Sequence, residues 1–147
     1  GLEAGRPPEL DLAAEAKVQA VVRGLVEDGL CDTAHDTSQG GLAVALAEMC
    51  LPATGAALGL TADLGDGAGA RLDELLFGEA ASRVVLALRP SAVEEALARC
   101  SAVGVAAREV GHAGGDRFTL RGGGAVIDCA LEELRGSYEA TYEMALR

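Results

Sequence analysis

The chain has 147 residues, half of them hydrophobic, and a formal net charge of −11 from 23 acidic and 12 basic residues. This length suits one domain with a single core, and the shortage of aromatic residues (two Phe, two Tyr, no Trp) predicts a core of Ala, Val and Leu. Because an acidic surface repels a phosphate backbone and few side chains are available for base stacking, nucleic-acid binding is disfavoured.

The cysteines and the N-terminus indicate the cellular compartment. The four cysteines are widely separated and form no C-x-x-C pair, which argues against a zinc site or a redox dithiol. The N-terminus lacks a signal-peptide pattern, and no run of about 18 apolar residues occurs. We therefore expect a cytoplasmic protein that does not enter a membrane.

The N-terminal part of the chain predicts a linker and a helix. Residues 1–10 are rich in Gly and Pro without periodicity, and the chain starts without Met, so we expect a linker from a missing upstream domain. Residues 11–147 are then predicted to form one domain. Its first helix, over 12–28, shows apolar residues at helical spacing, with Asp11 as N-cap and Gly29 at the C′ position.

A polar turn between a short strand over 31–35 and a strongly apolar helix is the most informative stretch. Free N–H groups and the helix dipole at such an N-terminus attract anions, and Gly40 and Gly41 allow a phosphate to come close. Asp36 offers the hard oxygen that Mg²⁺ prefers. Ser38 can donate to a phosphate oxygen or cap the helix. The pattern therefore favours a site for a metal-bound polyphosphate.

The same residues also suit a purely structural role. Asp, Thr, Ser and Gly before an apolar helix are typical of an ordinary N-cap. His35, just before Asp36, is a residue that more often satisfies a core or turn contact than it catalyses. Spacing alone leaves both interpretations open.

Alternation and apolar runs define the middle of the chain. They predict a strand over 56–64, a short helix over 71–77 with all its leucines and Phe77 packed inward, and a strand over 83–88 of the continuous apolar kind found at the centre of a sheet. The G-x-G-x-x-A run at 65–70 resembles a dinucleotide fingerprint. The helix after it is too short for a Rossmann crossover, so we interpret it as a turn.

The last third predicts a helix, three short strands and a closing helix. Ser91 and Glu94 have the spacing of a capping box, and Gly104 ends the helix that they begin. Glycines 122–124 predict a hairpin turn, and Gly136 is a point where the closing helix can break. The strands are expected over 105–110, 117–121 and 125–129, and the closing helix over 131–146. The mixed order of elements predicts an α+β domain with helices over a mixed sheet.

Two motifs carry a family resemblance. His35 to Met49 reads H-D-T-S-Q-G-G-L-A-V-A-L-A-E-M and resembles the H-D-x-S-D-G-G-L-x-V-x-L-A-E-M signature of phosphoribosylformylglycinamidine synthase. Leu76 to Arg83 reads L-F-G-E-A-A-S-R and resembles the L-F-G-E-S-Q-S-R of the same family. The similarity is to the last domain of that enzyme, the second of two that resemble the C-terminal domain of aminoimidazole ribonucleotide synthase. This resemblance implies a three-layer α/β/α sandwich with a mixed sheet.

The resemblance also implies an activity. The family converts formylglycinamide ribonucleotide to the amidine in purine biosynthesis, using ATP and ammonia derived from glutamine. By resemblance Asp36 binds Mg²⁺, Ser38 contacts the phosphates of ATP or ADP, and Gly40 and Gly41 allow backbone approach. The implied partners are the preceding domains and a glutaminase domain or subunit. No catalytic residue is assigned, and the chain alone is expected to be an inactive ligase fragment.

The sequence departs from the family pattern at both motifs. Gln39 replaces the usual Asp, which removes one anion next to the expected metal. Ala80 and Ala81 replace Ser and Gln and cannot donate side-chain hydrogen bonds to a substrate. We therefore expect Glu79 and Arg83 to form a structural pair. The change also favours a nucleotide that is held structurally over one that is turned over.

Other functions stay open on the sequence alone. The turn can belong to an architectural domain that retains its motif as a helix cap. The chain can also belong to a related ATP-using family: selenophosphate synthetase, thiamine monophosphate kinase or the hydrogenase maturation protein E. A serine hydrolase is least favoured, because Ser38 lacks the G-x-S-x-G elbow.

Overall fold

A computed structural model of the chain describes residues 10–52, 55–66 and 71–145, with side chains described as far as residue 140. The expected linker lies outside this part except for residue 10, and so do residues 67–70 of the glycine-rich turn. Helices and strands follow in the order α1 (Leu12–Glu27), β1 (Cys31–Asp36), α2 (Gly41–Cys50), β2 (Leu60–Asp63), α3 (Leu72–Phe77), β3 (Val84–Leu88), a 3₁₀ helix (Pro90–Ala92), α4 (Val93–Ala102), β4 (Gly111–Ala113), β5 (Arg117–Gly122), β6 (Ala125–Ala130) and α5 (Leu131–Ala145).

Local signals at both ends determine α1. The Asp11 carboxylate accepts hydrogen bonds from the N–H groups of Ala13 and Ala14 at 2.9 and 3.0 Å, which satisfies two donors that a helix leaves free. Gly29 has φ 68° and lets the chain turn away without strain. Leu25 faces inward and is fully buried. The predicted helix is therefore confirmed, with its N-cap.

Strands β1 and β3 pair antiparallel, with an irregularity between Cys31 and Thr33. Leu86 and Leu88 of β3 pack on the small core between α1 and α4, whereas Val85 packs on the larger core that contains α2. Helices therefore cover both faces of this pair. The expectation that β3 is a central strand is wrong, since β1 is its only partner among the described strands and its side chains are only half-buried.

The other four strands form a sheet in the order β4-β2-β5-β6. β2 runs parallel to β5, and the remaining pairs are antiparallel, so the sheet is mixed. Glycines 123 and 124, with φ of 56° and 80°, make the tight turn between β5 and β6 that the glycine run predicts. The α+β fold class with a mixed sheet is confirmed.

The main core lies between α2, α3 and α5 and the four-stranded sheet. Its buried side chains are Leu42, Ala43, Leu46, Cys50, Ala62, Leu64, Leu76, Phe118, Leu120 and Leu131. Burial of each large side chain contributes about 1.5–3 kcal/mol. The prediction of a core of Ala, Val and Leu is only partly right. Phe118 is its largest member, and among the described residues no valine is fully buried.

Two predicted strands differ from the structure. The strand expected over 56–64 forms only at Leu60–Asp63, and the strand expected over 105–110 forms instead at Gly111–Ala113. A Cβ at Gly111 would lie 2.1 Å from the Thr61 carbonyl oxygen. Pairing with β2 at this closeness therefore requires glycine. For this reason β4 begins at Gly111 and not within the apolar run over 105–110.

The helices also correct several expectations. Ser91 lies within the 3₁₀ helix that begins at Pro90, so the predicted capping box with Glu94 does not form and no side chain caps α4. Only Leu76 of α3 is fully buried, and Phe77 is 51% exposed, because so short a helix buries a single side. α5 continues through Gly136 without a break. None of the described helices has the length and apolar character needed to span a membrane.

Candidate functional site

The two sequence motifs meet in one cluster of loops. The Gly40 N–H donates to Oε1 of Glu79 at 2.8 Å, although the two residues are 39 positions apart. Thr37, which is 1% exposed, directs its hydroxyl at the Ala80 carbonyl oxygen at 3.4 Å. The turn before α2 and the loop after α3 are therefore held together by side chains of both motifs.

Two left-handed glycines shape the turn. Gly40 and Gly41 have φ of 73° and 76°. A Cβ at Gly41 would lie 2.5 Å from the carbonyl carbon of Phe77, and one at Gly40 would lie 2.7 Å from Cγ2 of Val44. Both positions therefore require glycine for conformation and for space. The close approach at Gly41 is to the protein's own backbone.

Asp36 and Ser38 lie side by side at the exposed end of β1. The Ser38 hydroxyl donates to Oδ1 of Asp36 at 2.8 Å. No described group donates to the second oxygen of Asp36. An open groove of about 430 Å³, lined by Ala34, His35, Asp36 and Val84, runs past this carboxylate. The structure thus brings two of the predicted site residues together at a surface that a ligand can reach.

His35 connects this turn to the middle of α2. Its Nδ1 lies 2.7 Å from the carbonyl oxygen of Asp36, and its Nε2 lies 3.0 Å from Oε2 of Glu48. Glu48 is the only charged residue of α2. The imidazole therefore links the backbone at Asp36 to a helix that is otherwise apolar. This link limits the movement of the residue that carries the Asp36 carboxylate.

The loop of the second motif is anchored differently from the prediction. Glu79 and Arg83 do not pair, since Glu79 bonds to Gly40 and Arg83 donates from Nη2 to the Leu75 carbonyl oxygen at 3.1 Å. Ser82 has φ 61°, unusual for a residue with a side chain, and donates to Oε2 of Glu15 at 2.5 Å. This hydrogen bond lowers the pKa of Glu15. The loop is thereby fixed to α1.

The residues at the turn fit a metal ion that arrives with a phosphate ligand. Within the described residues no three His, Cys, Asp or Glu side chains gather to hold a metal on their own. Mg²⁺ is commonly bound through one or two carboxylates together with substrate phosphates. Asp36, with one oxygen unengaged, can supply one such ligand.

The start of α2 has both attractive and repulsive groups for an anion. No side chain caps this N-terminus, so backbone donors and the positive end of the helix dipole remain there. The Glu79 carboxylate, however, already occupies the Gly40 N–H and brings its own negative charge. A phosphate at this point must either displace Glu79 or bind beside it through a metal ion.

Sequence reasoning missed three of these contacts. It left the role of His35 undecided, expected Glu79 to pair with Arg83 and not with Gly40, and did not connect Ser82 with α1. One signal for the histidine was available, because a single charge in an apolar helix needs a polar partner. No comparable local signal connects Glu79 to Gly40.

A family model described as AIR synthase related protein, C-terminal domain, matches residues 1–123. Among curated proteins, the phosphoribosylformylglycinamidine synthase subunit PurL of Thermomicrobium roseum is 44% identical over 134 residues, which cover 91% of this chain and 18% of that protein. The PurL of Salinibacter ruber is 45% identical over 143 residues, which cover 93% of this chain and 18% of that protein. The chain thus spans about a fifth of the length of these relatives.

Solved structures show the same fold. T. maritima PurL complexed with FGAR superposes with a TM-score of 0.77 at 19% identity, covering 91% of this chain and 23% of that one. T. maritima PurL complexed with ATP gives a TM-score of 0.73 at 19% identity, covering 85% and 22%. PurLQS of Thermotoga maritima gives a TM-score of 0.70 at 19% identity, covering 85% of this chain and 22% of that one.

Proposed function

Because the chain belongs to the family described as AIR synthase related protein, C-terminal domain, we propose that it is the last such domain of a phosphoribosylformylglycinamidine synthase. The observation that carries the proposal is the identity of 44% over 91% of the chain to a PurL subunit. In this proposal residues 1–10 are a linker from an upstream domain, and residues 11–147 form a single domain.

The complete enzyme is proposed to convert formylglycinamide ribonucleotide to formylglycinamidine ribonucleotide, as an ATP-dependent ligase that takes ammonia from glutamine. Relatives whose structures were solved with FGAR, ATP or ADP support these ligands. The structure of PurLQS supports a glutaminase domain or subunit as the partner. Four free cysteines in the chain suit a cytoplasmic, reducing compartment.

Within that enzyme, we assign the turn before α2 to a magnesium-nucleotide site. Asp36 would ligate Mg²⁺, Ser38 would contact a phosphate, and Gly40 and Gly41 would hold the backbone donors in place. When bound, Mg²⁺ would neutralise phosphate charge at the site. The groove beside Asp36 and the uncapped N-terminus of α2 support this assignment.

One observation favours an architectural role instead. Glu79 accepts from Gly40, and Ser38 donates to Asp36, so several polar groups of the turn already have partners within the protein. A turn of this kind stabilises the fold without a ligand. The two functions differ in what happens when the Asp36 carboxylate is removed.

The deciding experiment is a binding titration of Mg-ADP with the intact enzyme and two Asp→Asn variants. Asp36→Asn should weaken binding by about tenfold or more, because a charged metal ligand is lost. Asp32→Asn is the matched control, since Asp32 is an exposed carboxylate on the same strand. Equal binding by both variants, at equal stability, would favour the architectural role.

A second test concerns the chain alone. Because it corresponds to about 18% of the relatives' length, we expect it to show no synthase turnover with ATP, formylglycinamide ribonucleotide and ammonia. Addition of the remaining enzyme domains should restore turnover. Measurable turnover by the chain alone would contradict the proposal that other domains supply the catalytic groups.

A further inference from the structure

Two arginines, one of them at the end of the loop that follows α3, each donate to a backbone carbonyl oxygen. Arg83 donates from Nη2 to the Leu75 carbonyl oxygen at 3.1 Å, and Arg108 donates from Nη2 to the Leu64 carbonyl oxygen at 2.7 Å. The two leucines are neighbours, because a Cβ at Gly122 would lie 3.0 Å from Leu64 Cβ and 3.4 Å from Leu75 Cδ2. Both guanidinium groups are thus anchored on adjacent parts of one surface.

The charge of Arg108 reaches the guanidinium group of Arg83. Burial lowers the pKa of Arg83, and the positive charge of Arg108 lowers it further. Arg83 is partly buried, whereas Arg108 is exposed. The pair therefore combines one cation that is shielded from water with one that solvent and solutes can reach.

No described carboxylate neutralises this pair. Among residues 10–52, 55–66 and 71–140, ion pairs within 4.0 Å form at other arginines but not at Arg83 or Arg108. The nearby Asp63 carboxylate accepts from the Gly65 N–H instead. Residues 67–70, which lie outside the described part of the chain, read Gly-Ala-Gly-Ala and include no acidic residue.

We propose that Arg83 and Arg108 form a binding site for a phosphate-type oxyanion, separate from the turn that carries Asp36. Each guanidinium uses one N–H on a carbonyl oxygen and keeps its other donors for a ligand. A planar fork of N–H groups matches the oxygens of a phosphate, and two forks around one anion remove the repulsion between them. The ligand is inorganic phosphate or the phosphate group of a small monoester.

The plain structural alternative is that each arginine only caps a carbonyl group. That role explains the contact of Arg83 with the last turn of α3. It does not explain why two like charges lie near each other with no counter-ion among the described residues, in a protein with a net charge of −11. Capping of two separate carbonyls is possible with neutral donors, so the convergence points to an anion.

The test is a ³¹P NMR titration of inorganic phosphate with the intact protein, at constant ionic strength maintained with chloride. Wild-type protein should show saturable binding, and Arg108→Gln should weaken it about tenfold or more, because a charge-assisted contact is lost. Arg108→Lys should restore only part of the affinity, since the ammonium lacks the fork. Arg23→Gln, at an exposed arginine of α1, removes the same charge elsewhere and should bind as wild type does.

Three results would overturn the proposal: no saturable binding by the wild type, equal loss in the Arg23→Gln and Arg108→Gln variants, or full affinity in Arg108→Gln. Arg83→Lys gives an independent variant, which should also bind phosphate more weakly. Asp36→Asn should leave phosphate binding unchanged, so failure of the nucleotide proposal and failure of this one are distinguishable. A parallel titration with glycerol 2-phosphate separates a monoester ligand from free phosphate.

Discussion

Glu79 is hydrogen-bonded to the backbone at Gly40: its Oε1 accepts the N–H of that residue at 2.8 Å. The contact joins two motifs that look independent in the sequence. It fixes the direction in which the turn enters α2, and it places a carboxylate where an anionic ligand would approach.

Replacement of Glu79 tests how much this contact contributes to stability. Glu79→Ala should lower the free energy of unfolding by about 1 kcal/mol, because one hydrogen bond to a charged acceptor is lost at an exposed site. Glu79→Gln retains an acceptor oxygen and should lose less. Urea denaturation provides the measurement. Glu109→Ala is the control at another exposed glutamate, and an equal loss there would contradict a specific role for Glu79.

Gly41 offers a test of close packing. Gly41→Ala should destabilise the protein by about 2–4 kcal/mol, because its Cβ would lie 2.5 Å from the Phe77 carbonyl carbon at a φ of 76°. Gly29→Ala is a matched control, since Gly29 has φ 68° but no atom within 4 Å of the added Cβ. It should lose only about 1 kcal/mol from the left-handed conformation. Equal midpoint temperatures of thermal denaturation for both variants would show that the contact with Phe77 is not tight.

Asp128 should make stability depend on pH at the acidic end. Hydrogen bonds from Arg117 and Thr119 lower the pKa of this carboxyl group. The unfolded chain therefore binds the proton first as the pH falls, so the stabilisation is present above the ordinary pKa and is lost as the pH falls through the lowered one. Wild type should exceed Asp128→Asn in stability near neutral pH and approach it in acid. A constant difference across the acid range, in denaturation curves, would refute this.

Cys50 should behave as an inert thiol in the folded protein. Burial raises its pKa to about 11, with a further contribution from Cys129. The native state therefore keeps the thiol protonated, and alkylation by iodoacetamide near pH 8 should be slow until denaturant is added. The half-buried Cys129 should react sooner. Mass spectrometry of the labelled peptides measures both rates, and faster labelling of Cys50 than of Cys129 in the native protein would contradict this expectation.

The raised pKa of Cys50 also predicts loss of stability in alkali. Because the unfolded thiol deprotonates at a lower pH than the folded one, the free energy of unfolding should fall as the pH rises toward about 11. Cys50→Ala should remove part of this decline. An unchanged alkaline slope in that variant would assign the decline to other groups.

The parts of the fold that sequence predicts correctly depend on local signals. Asp11 and Gly29 define both ends of α1 within their own neighbourhoods, and the glycine run before residue 125 defines a hairpin. The predicted position of β4 is wrong for the opposite reason. Its position depends on how closely Gly111 can approach β2, and that distance is not encoded near Gly111 itself.

The contacts of the candidate site also divide into those that the sequence predicts and those that it does not. Asp36 and Ser38 are two residues apart, so their proximity is predictable from the chain, and the structure brings them into contact at 2.8 Å. The Gly40–Glu79 and Ser82–Glu15 contacts span 39 and 67 positions. Contacts across such separations depend on the path of every element between them, and a single sequence does not specify that path.

The span between Gly40 and Glu79 has a consequence for the order of folding. Closing a loop of this length loses chain entropy that only the finished contacts recover, so the turn and its hydrogen bond to Glu79 should become ordered late. All of α2, β2 and α3 lies inside the loop. A destabilising substitution anywhere in that interval should therefore slow formation of the site, even where it leaves every polar residue of the site unchanged.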